Sequence, residues 1–140
     1  MRPSLLSLTA VAALAATLAD SIGAAATERR LAVLQALDKV VARTSELEAP
    51  LDRAVRFGTL QIVVRTCHAA PPEEPPENAA FLEIDELDHS GRATRLYTGW
   101  MFSSTPGLAA LEHPVYDIWV LACTEASPEA DSAASENPAG

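Results

Sequence analysis

The two cysteines constrain this chain most, because each closes a segment with the apolar pattern of a β-strand: Cys67 ends FGTLQIVVRTC and Cys123 ends VYDIWVLAC. A disulfide between them requires Cα atoms about 4.4–6.8 Å apart. Antiparallel neighbours running fully between opposite edges would place the two sulfurs at opposite ends of a sheet. The strands are therefore parallel neighbours, or they face each other across a barrel or sandwich. With two cysteines in the chain there is one possible pairing.

Whether they pair depends on the compartment, and the N-terminus speaks to that. Arg2 precedes the apolar run Leu5 to Leu18 (LLSLTAVAALAATL), and Ala24, Ala25 and Ala26 supply the small residues a signal peptidase accepts. Residues 1–26 are expected to be a cleaved secretory signal, cut after Ala26 or, as second choice, after Ala19. The competing reading is an uncleaved anchor, but the run falls short of the roughly 20 apolar residues a span needs. No cysteine follows it closely, so lipid attachment is not expected. The expected compartment is the periplasm, with no membrane span after cleavage. There an even cysteine count invites the Cys67–Cys123 disulfide. Closing a loop of about 57 residues contributes up to about 4 kcal/mol in the chain-entropy view.

Removing residues 1–26 takes away Arg2 and Asp20, leaving 10 − 1 = 9 basic and 19 − 1 = 18 acidic residues and a net charge still −9. Such a surface repels phosphate backbones and anionic headgroups, and no basic cluster works against the mean. Nucleic-acid binding is disfavoured.

The rest reads as strands. In ERRLAVLQALDKVVARTSELEAPL, Leu and Ala favour helix, but Asp38-Lys39 makes a turn, Val40, Val41 and Thr44 favour extended chain, and Pro50 is a stop; two short strands are expected. In FGTLQIVVRTC, Gly58 suits a bend or bulge and Leu60, Ile62 and Val64 share one face. AFLEIDEL alternates Leu82 and Ile84 against Glu83 and Asp85, HSGR is a hairpin turn, and ATRLYTGWMF returns. VYDIWVLAC, nearly all apolar, reads as a central strand covered on both faces. SSTPGLAALEHP carries a Leu108, Leu111 spacing that suits one helical turn, and PPEEPP is expected to be a stiff, extended loop. The segment 124–140 has no apolar residue larger than alanine and is expected to be a disordered acidic tail. The expected architecture is all-β: one domain over residues 27–123, a small antiparallel-rich β-barrel or sandwich with one short helical turn and one disulfide.

Chemistry is sparse. In LEHPVYD a histidine stands between two carboxylates, but on a strand His113 and Asp117 lie roughly 13 Å apart at about 3.3 Å per residue. The bland reading is that they satisfy backbone groups at a loop-to-strand junction. The sharper one is a metal-dependent or hydrolytic enzyme centred on Glu112, His113, Tyr116 and Asp117. His68 and His89 share no ligand spacing with His113. Ser103 and Ser104 lack a GxSxG elbow, the cysteines form no CxxC pair, and no glycine-rich phosphate loop occurs. No catalytic residue, metal or cofactor is assigned. Trp100, Phe102 and Trp119 are expected to fill the core of a small domain. The alternative is that one tryptophan lies exposed beside the proline loop and anchors a partner, or binds a small ligand or glycan. The candidate interaction surface is accordingly Pro71, Pro72, Pro75, Pro76, Trp100, His113 and Tyr116.

Three stretches, VRFGTLQIVVRTC, PPEEPPENAAFLEI and above all GWMFSSTPGLAALEHPVYDIWVLAC, carry a family resemblance. From about Leu31 to Cys123 the chain resembles the bacterial family called domain of unknown function 2155, both motif cysteines being present. The resemblance implies an exported protein and supplies no catalytic residue to transfer. It also implies an accessory subunit on the outer face of the respiratory NADH:quinone oxidoreductase, complex I. The expectation is thus an exported, non-catalytic domain whose partner is another protein, an inner-membrane respiratory complex.

Overall fold

The computed structural model of the chain describes residues 27–109, 111 and 113–125. The expected signal and all but the first two residues of the expected tail lie outside the described residues. Eight strands are formed: β1 (Thr27–Glu28), β2 (Leu31–Asp38), β3 (Arg43–Pro50), β4 (Ala54–Phe57), β5 (Leu60–Ala69), β6 (Asn78–Leu87), β7 (Ala93–Phe102) and β8 (Tyr116–Thr124). One sheet has the order β1-β5-β6-β7, with β4 also paired to β5; the other has the order β3-β2-β8. Every pairing is antiparallel. Among the described residues no helix is long and apolar enough to cross a membrane.

Local chemistry sets the connections. Asp38 Oδ1 accepts the Val40 and Val41 N–H groups (2.9 and 3.3 Å), closing the β2–β3 hairpin as an Asx turn. At the β6–β7 hairpin Asp88 Oδ1 accepts the N–H groups of Ser90 (2.8 Å) and Arg92 (2.9 Å), and Gly91 takes φ +80°. Phe57 pairs with Leu60, so Gly58 and Thr59 form a two-residue hairpin loop, with Gly58 at the positive φ (+56°) that such loops demand. Strand β4 itself carries no clear period-two signal and was not expected.

The core lies between the sheets and is aliphatic. Leu60, Ile62, Val64, Ala80, Leu82, Ile84 and Met101 face Ala32, Leu34, Ala36, Ala49, Ile118 and Val120, all buried. Both cysteines join this layer through the same device. In β5 the inward residues are even-numbered up to Val64, and strict alternation would turn Cys67 outward. The register shifts between Val64 and Thr66, leaving Arg65 unpaired, so that Cys67 points in. In β8 the register shifts around Leu121, and Cys123 turns inward after Val120. The two meet as a disulfide with a Cα separation of 5.6 Å. Of the two topologies left open, facing strands in different sheets is the one formed. Alanines lie opposite both cysteines in the ladders, Ala80 beside Cys67 and Ala32 beside Cys123, leaving room for the bridge. Asn78 adds a polar tie, its Oδ1 accepting the Cys123 N–H across the sheets (2.9 Å).

Four expectations are corrected. Strand β8 is an edge, paired only with β2 among the described residues; within its apolar run Leu121 is bulged and Trp119 lines a hollow with Pro106 and Gly107. The expected helical turn is replaced by linked turns, Thr105 N–H to Phe102 O (3.4 Å) and Leu108 N–H to Thr105 O (3.1 Å), leaving Leu108 exposed and Leu111 buried. PPEEPP begins with a turn, Glu74 N–H to Pro71 O (3.0 Å), for which Pro72 has the favoured φ. The aromatic residues do not fill the core: Met101 faces inward, so Trp100 and Phe102 face out.

Replacing Cys123 by Ser is expected to lower the thermal midpoint by about 10 °C, as is adding reductant to the unaltered chain. Deleting Arg65 removes the phase slip, and both thiols are then expected to titrate in the unfolded protein. Equal midpoints with and without reductant, or no free thiol in the deletion variant, would contradict this account.

Candidate functional site

Two regions hold the residues singled out in the sequence, and they lie at opposite ends of the larger sheet. The first surrounds His113, which the chain places just before β8. Its side chain is buried (residue 8% exposed). Nδ1 accepts the N–H groups of Val115 and Tyr116, both at 3.1 Å, so the ring proton belongs on Nε2, which lies 3.2 Å from Glu86 Oε1. The ring stacks on Tyr116 at 5.2 Å, and Tyr116 meets Phe57 edge-on. Lys39 Nζ bridges the junction, donating to the His113 carbonyl (2.7 Å) and to Asp117 Oδ1 (2.8 Å). His113 and Asp117 are thus tied through a lysine from the β2–β3 hairpin, not to each other. The Tyr116 hydroxyl and ring occupy the space where a β-carbon would stand at Gly58. Chemically this is a clasp: both ring nitrogens are engaged, and among the described residues no group of three His, Cys, Asp or Glu side chains is placed to hold a metal. Glu112, part of the enzymatic reading, lies outside the described residues.

The second region is the outer face of β5, β6 and β7 at the end carrying the proline loop. Cross-strand register sets Phe81 beside Trp100, and Ala79 between His68 and Phe102. Trp100 is 41% and Phe102 38% exposed. The indole is held from below: His68 stacks on it at 6.1 Å and Phe81 meets it edge-on at 5.6 Å. Thr66 Oγ1 lies 2.9 Å from His68 Nε2 and orients that ring. His68, Ala79, Trp100 and Phe102 line a shallow apolar depression.

A carboxylate fixes the rim. Glu77 Oε1 accepts the Ser103 hydroxyl (3.0 Å) and the Ser104 N–H (3.1 Å), while the Ser104 hydroxyl donates to Oε2. These bonds, the Ser104 hydroxyl first, hold the Glu77 carboxyl below its ordinary value of 4.5. They pin the loop from Ala70 to Glu77 against the end of β7. Pro71 is buried at its base, while Pro72, Glu73, Glu74, Pro75 and Pro76 are exposed. Beyond Phe81 the same face carries an ion-pair network: Arg65 reaches Asp52 (3.0 Å) and Glu83 (2.8 Å), and Arg95 reaches Asp85 and Glu83.

Of the candidate interaction surface, Trp100 and the proline loop therefore lie toward one end of the larger sheet, whereas His113 and Tyr116 stand at the far end. Phe102, His68, Phe81 and Glu77 complete the assembled face. The alternation of ATRLYTGWMF about an inward Met101 carried the signal for Phe102; the His68 contact depends on the bulge at Arg65 and had none. Strand β7 is the edge of its sheet. Tyr97, whose hydroxyl pKa is raised by burial, crosses Gly99 and donates to the Trp100 carbonyl on that strand (2.9 Å).

An all-β domain with a disulfide-tied core, one exposed aromatic face and a closed polar clasp is the class these features define. The family model described as an uncharacterized protein conserved in bacteria (DUF2155) matches residues 32–123, and the chain belongs to that family. It is 30% identical over 88 residues to an uncharacterized protein, RP359, of Rickettsia prowazekii (strain Madrid E), covering 63% of this chain and 57% of the relative. The chain thus spans little more than half the length of that relative. No solved structure matches.

Gly58→Ala is expected to destabilise the fold by about 2–3 kcal/mol in urea denaturation, from left-handed strain plus overlap with Tyr116. For Glu77 the folded carboxyl lies below its unfolded value, so its contribution is present above pH 4.5 and is lost as pH falls through the depressed value. Glu77→Gln is accordingly expected to be less stable than the parent at neutral pH and to lose less on acidification. Identical pH–stability curves would exclude the clamp.

Proposed function

We propose that the chain is an exported, non-catalytic interaction domain that docks on another protein, as an accessory subunit on the periplasmic face of the respiratory NADH:quinone oxidoreductase. The observation that carries the docking role is the exposed pair Trp100 and Phe102, held on a rigid sheet beside the pinned proline loop. Large aromatics cost little entropy to bury when their rotamers are already braced, which is how binding anchors are built. The assignment of the respiratory complex as partner rests on the family resemblance. Against an enzyme centred on His113 stand its two engaged ring nitrogens and its burial.

The test is to tag the C-terminus, solubilise membranes gently and follow the protein by native electrophoresis and mass spectrometry. Migration with a large inner-membrane assembly containing the oxidoreductase is expected. Trp100→Ala is expected to release the chain, whereas Val40→Ser, on the exposed hairpin tip, is not. Migration of the unaltered chain as a free small protein would end this reading.

A further inference from the structure

We infer that the free edge of β3 takes up a segment of another protein as an added antiparallel strand, with lysine or arginine opposite Glu46 and Glu48. This surface lies on the smaller sheet and does not rest on the reading of the Trp100 face. The hydrogen-bond phase of β3 follows from the rung just past its end. Leu51 N–H donates to the Arg30 carbonyl (3.1 Å), one residue beyond the Leu31 to Pro50 pair. Rungs of an antiparallel ladder alternate, and the β2–β3 register runs without a shift. Ala49, Leu47, Ser45 and Arg43 therefore exchange bonds with β2, whereas Glu48, Glu46 and Thr44 turn both N–H and C=O away from it. Lys39 N–H, which donates to the Val115 carbonyl (2.8 Å) on the other side of β2, fits the same phase. Pro50, next in the outward series, has no N–H to leave unpaired, as suits an edge. Thr44, Glu46 and Glu48 are exposed, and their outward groups have no hydrogen-bond partner among the described residues.

The other long edges are interrupted. Strands β7 and β8 each carry a register shift, and Ile118 and Val120 of β8 are buried. Strand β3 runs eight residues without one. A row of unpaired main-chain donors and acceptors is matched by extended backbone, which fixes the form of the occupant. The strand itself then sets the charge. Leu47 and Ala49 pack inward, so Thr44, Glu46 and Glu48 share the outer face, where their neighbours on β2 are the uncharged Leu37, Gln35 and Val33. The exposed cations Arg30, Arg43, Arg53 and Arg56 form no ion pair with either glutamate. Arg43 falls in the inward series, Arg30 lies past the end of the ladder, and Arg56 belongs to β4 of the other sheet. Residues directly opposite on an added strand stand about 5 Å away, where like charges repel and cations pair. A second copy paired about Glu46 would oppose that carboxylate to itself, in a chain of net charge −9. The chain's own segment 126–140 contains Glu129, Asp131 and Glu136 and no lysine or arginine. A basic strand from a different protein meets neither objection.

The experiment titrates the folded full chain with fluorescein-labelled peptides, read by anisotropy and by amide hydrogen exchange. One peptide alternates Lys and Thr, a second alternates Glu and Thr, and a third is the lysine peptide N-methylated at each lysine. The third keeps its charge but loses the donors that would face the edge. In the free chain the amides of Thr44, Glu46 and Glu48 are expected to exchange fast and those of Ser45 and Leu47 slowly. Saturating lysine peptide is expected to slow the first set. It is expected to bind at least about tenfold tighter than either other peptide, as for one or two main-chain hydrogen bonds gained. Glu46→Gln with Glu48→Gln is expected to weaken it about fivefold, as for two exposed ion pairs, and to flatten its salt dependence. Glu46→Pro is expected to keep the fold, since the N–H it removes points outward, and to weaken binding about tenfold. Trp100→Ala is expected to leave binding unchanged. Unaltered exchange at Thr44, Glu46 and Glu48 under saturating peptide would overturn the inference. So would equal binding of the N-methylated or the glutamate peptide, or dimers of the free chain that protect the same three amides.

Discussion

The structure depends on a phase change in two strands. A β-strand commits alternate side chains to opposite faces, and one slip of register moves every later residue to the other side. In β5 and β8 that slip falls between an inward valine and a cysteine, Val64 to Cys67 and Val120 to Cys123, with the same spacing in both. The disulfide therefore needs two bulges, one in each sheet, before it can form. The bulge at Arg65 also serves the outer surface. The slip that turns Cys67 inward turns Thr66 and His68 outward, and His68 then lies beneath Trp100. Core staple and aromatic face are two sides of one backbone irregularity.

The composition of the core follows from the same geometry. Ala32, Ala49 and Ala80 on facing strands let the sheets approach closely around the disulfide. An indole has no place there, and β7 presents the slim Met101 inward while Trp100 and Phe102 go outside. A small domain usually buries its aromatics because it needs their area. Here the covalent bridge between the sheets substitutes for some of that area, which leaves two aromatic residues for the surface.

The sequence disclosed period and punctuation better than phase. Asp38-Lys39, HSGR and Pro50 located the turns and ends of β2, β3, β6 and β7, because an Asx carboxylate or a positive-φ glycine acts within a few residues. The all-β class and the disulfide were legible for the same local reasons. What failed depended on partners distant in sequence. Apolar residues along β8 suggested a central strand, whereas Leu121 is apolar at a bulge and Trp119 lines a hollow it shares with Pro106 and Gly107. A leucine repeat at Leu108 and Leu111 suggested a helical turn, but Leu111 alone found a core to enter. The candidate surface was half legible: the proline loop and Trp100 lie toward the same end because β5, β6 and β7 are sequential antiparallel neighbours, while His113 follows a crossover whose landing point no local pattern specifies.

The two ends of the larger sheet differ in how far their polar groups are spent. At the His113 end, imidazole, lysine and two carboxylates satisfy backbone groups and one another, and Tyr116 closes the space over Gly58. A ligand arriving there would have to break bonds already made. At the Trp100 end the polar groups are spent differently: Glu77, Ser103 and Ser104 consume each other to hold the rim still, and Thr66 orients His68, so that the polar bonds brace an apolar surface without covering it. Rigidity purchased from buried or half-buried hydrogen bonds, with aromatic area left in solvent, is the arrangement that lowers the ordering cost of association. That contrast, rather than the chemical character of any one side chain, is why the histidine flanked by carboxylates is the structural element and the tryptophan the candidate for contact.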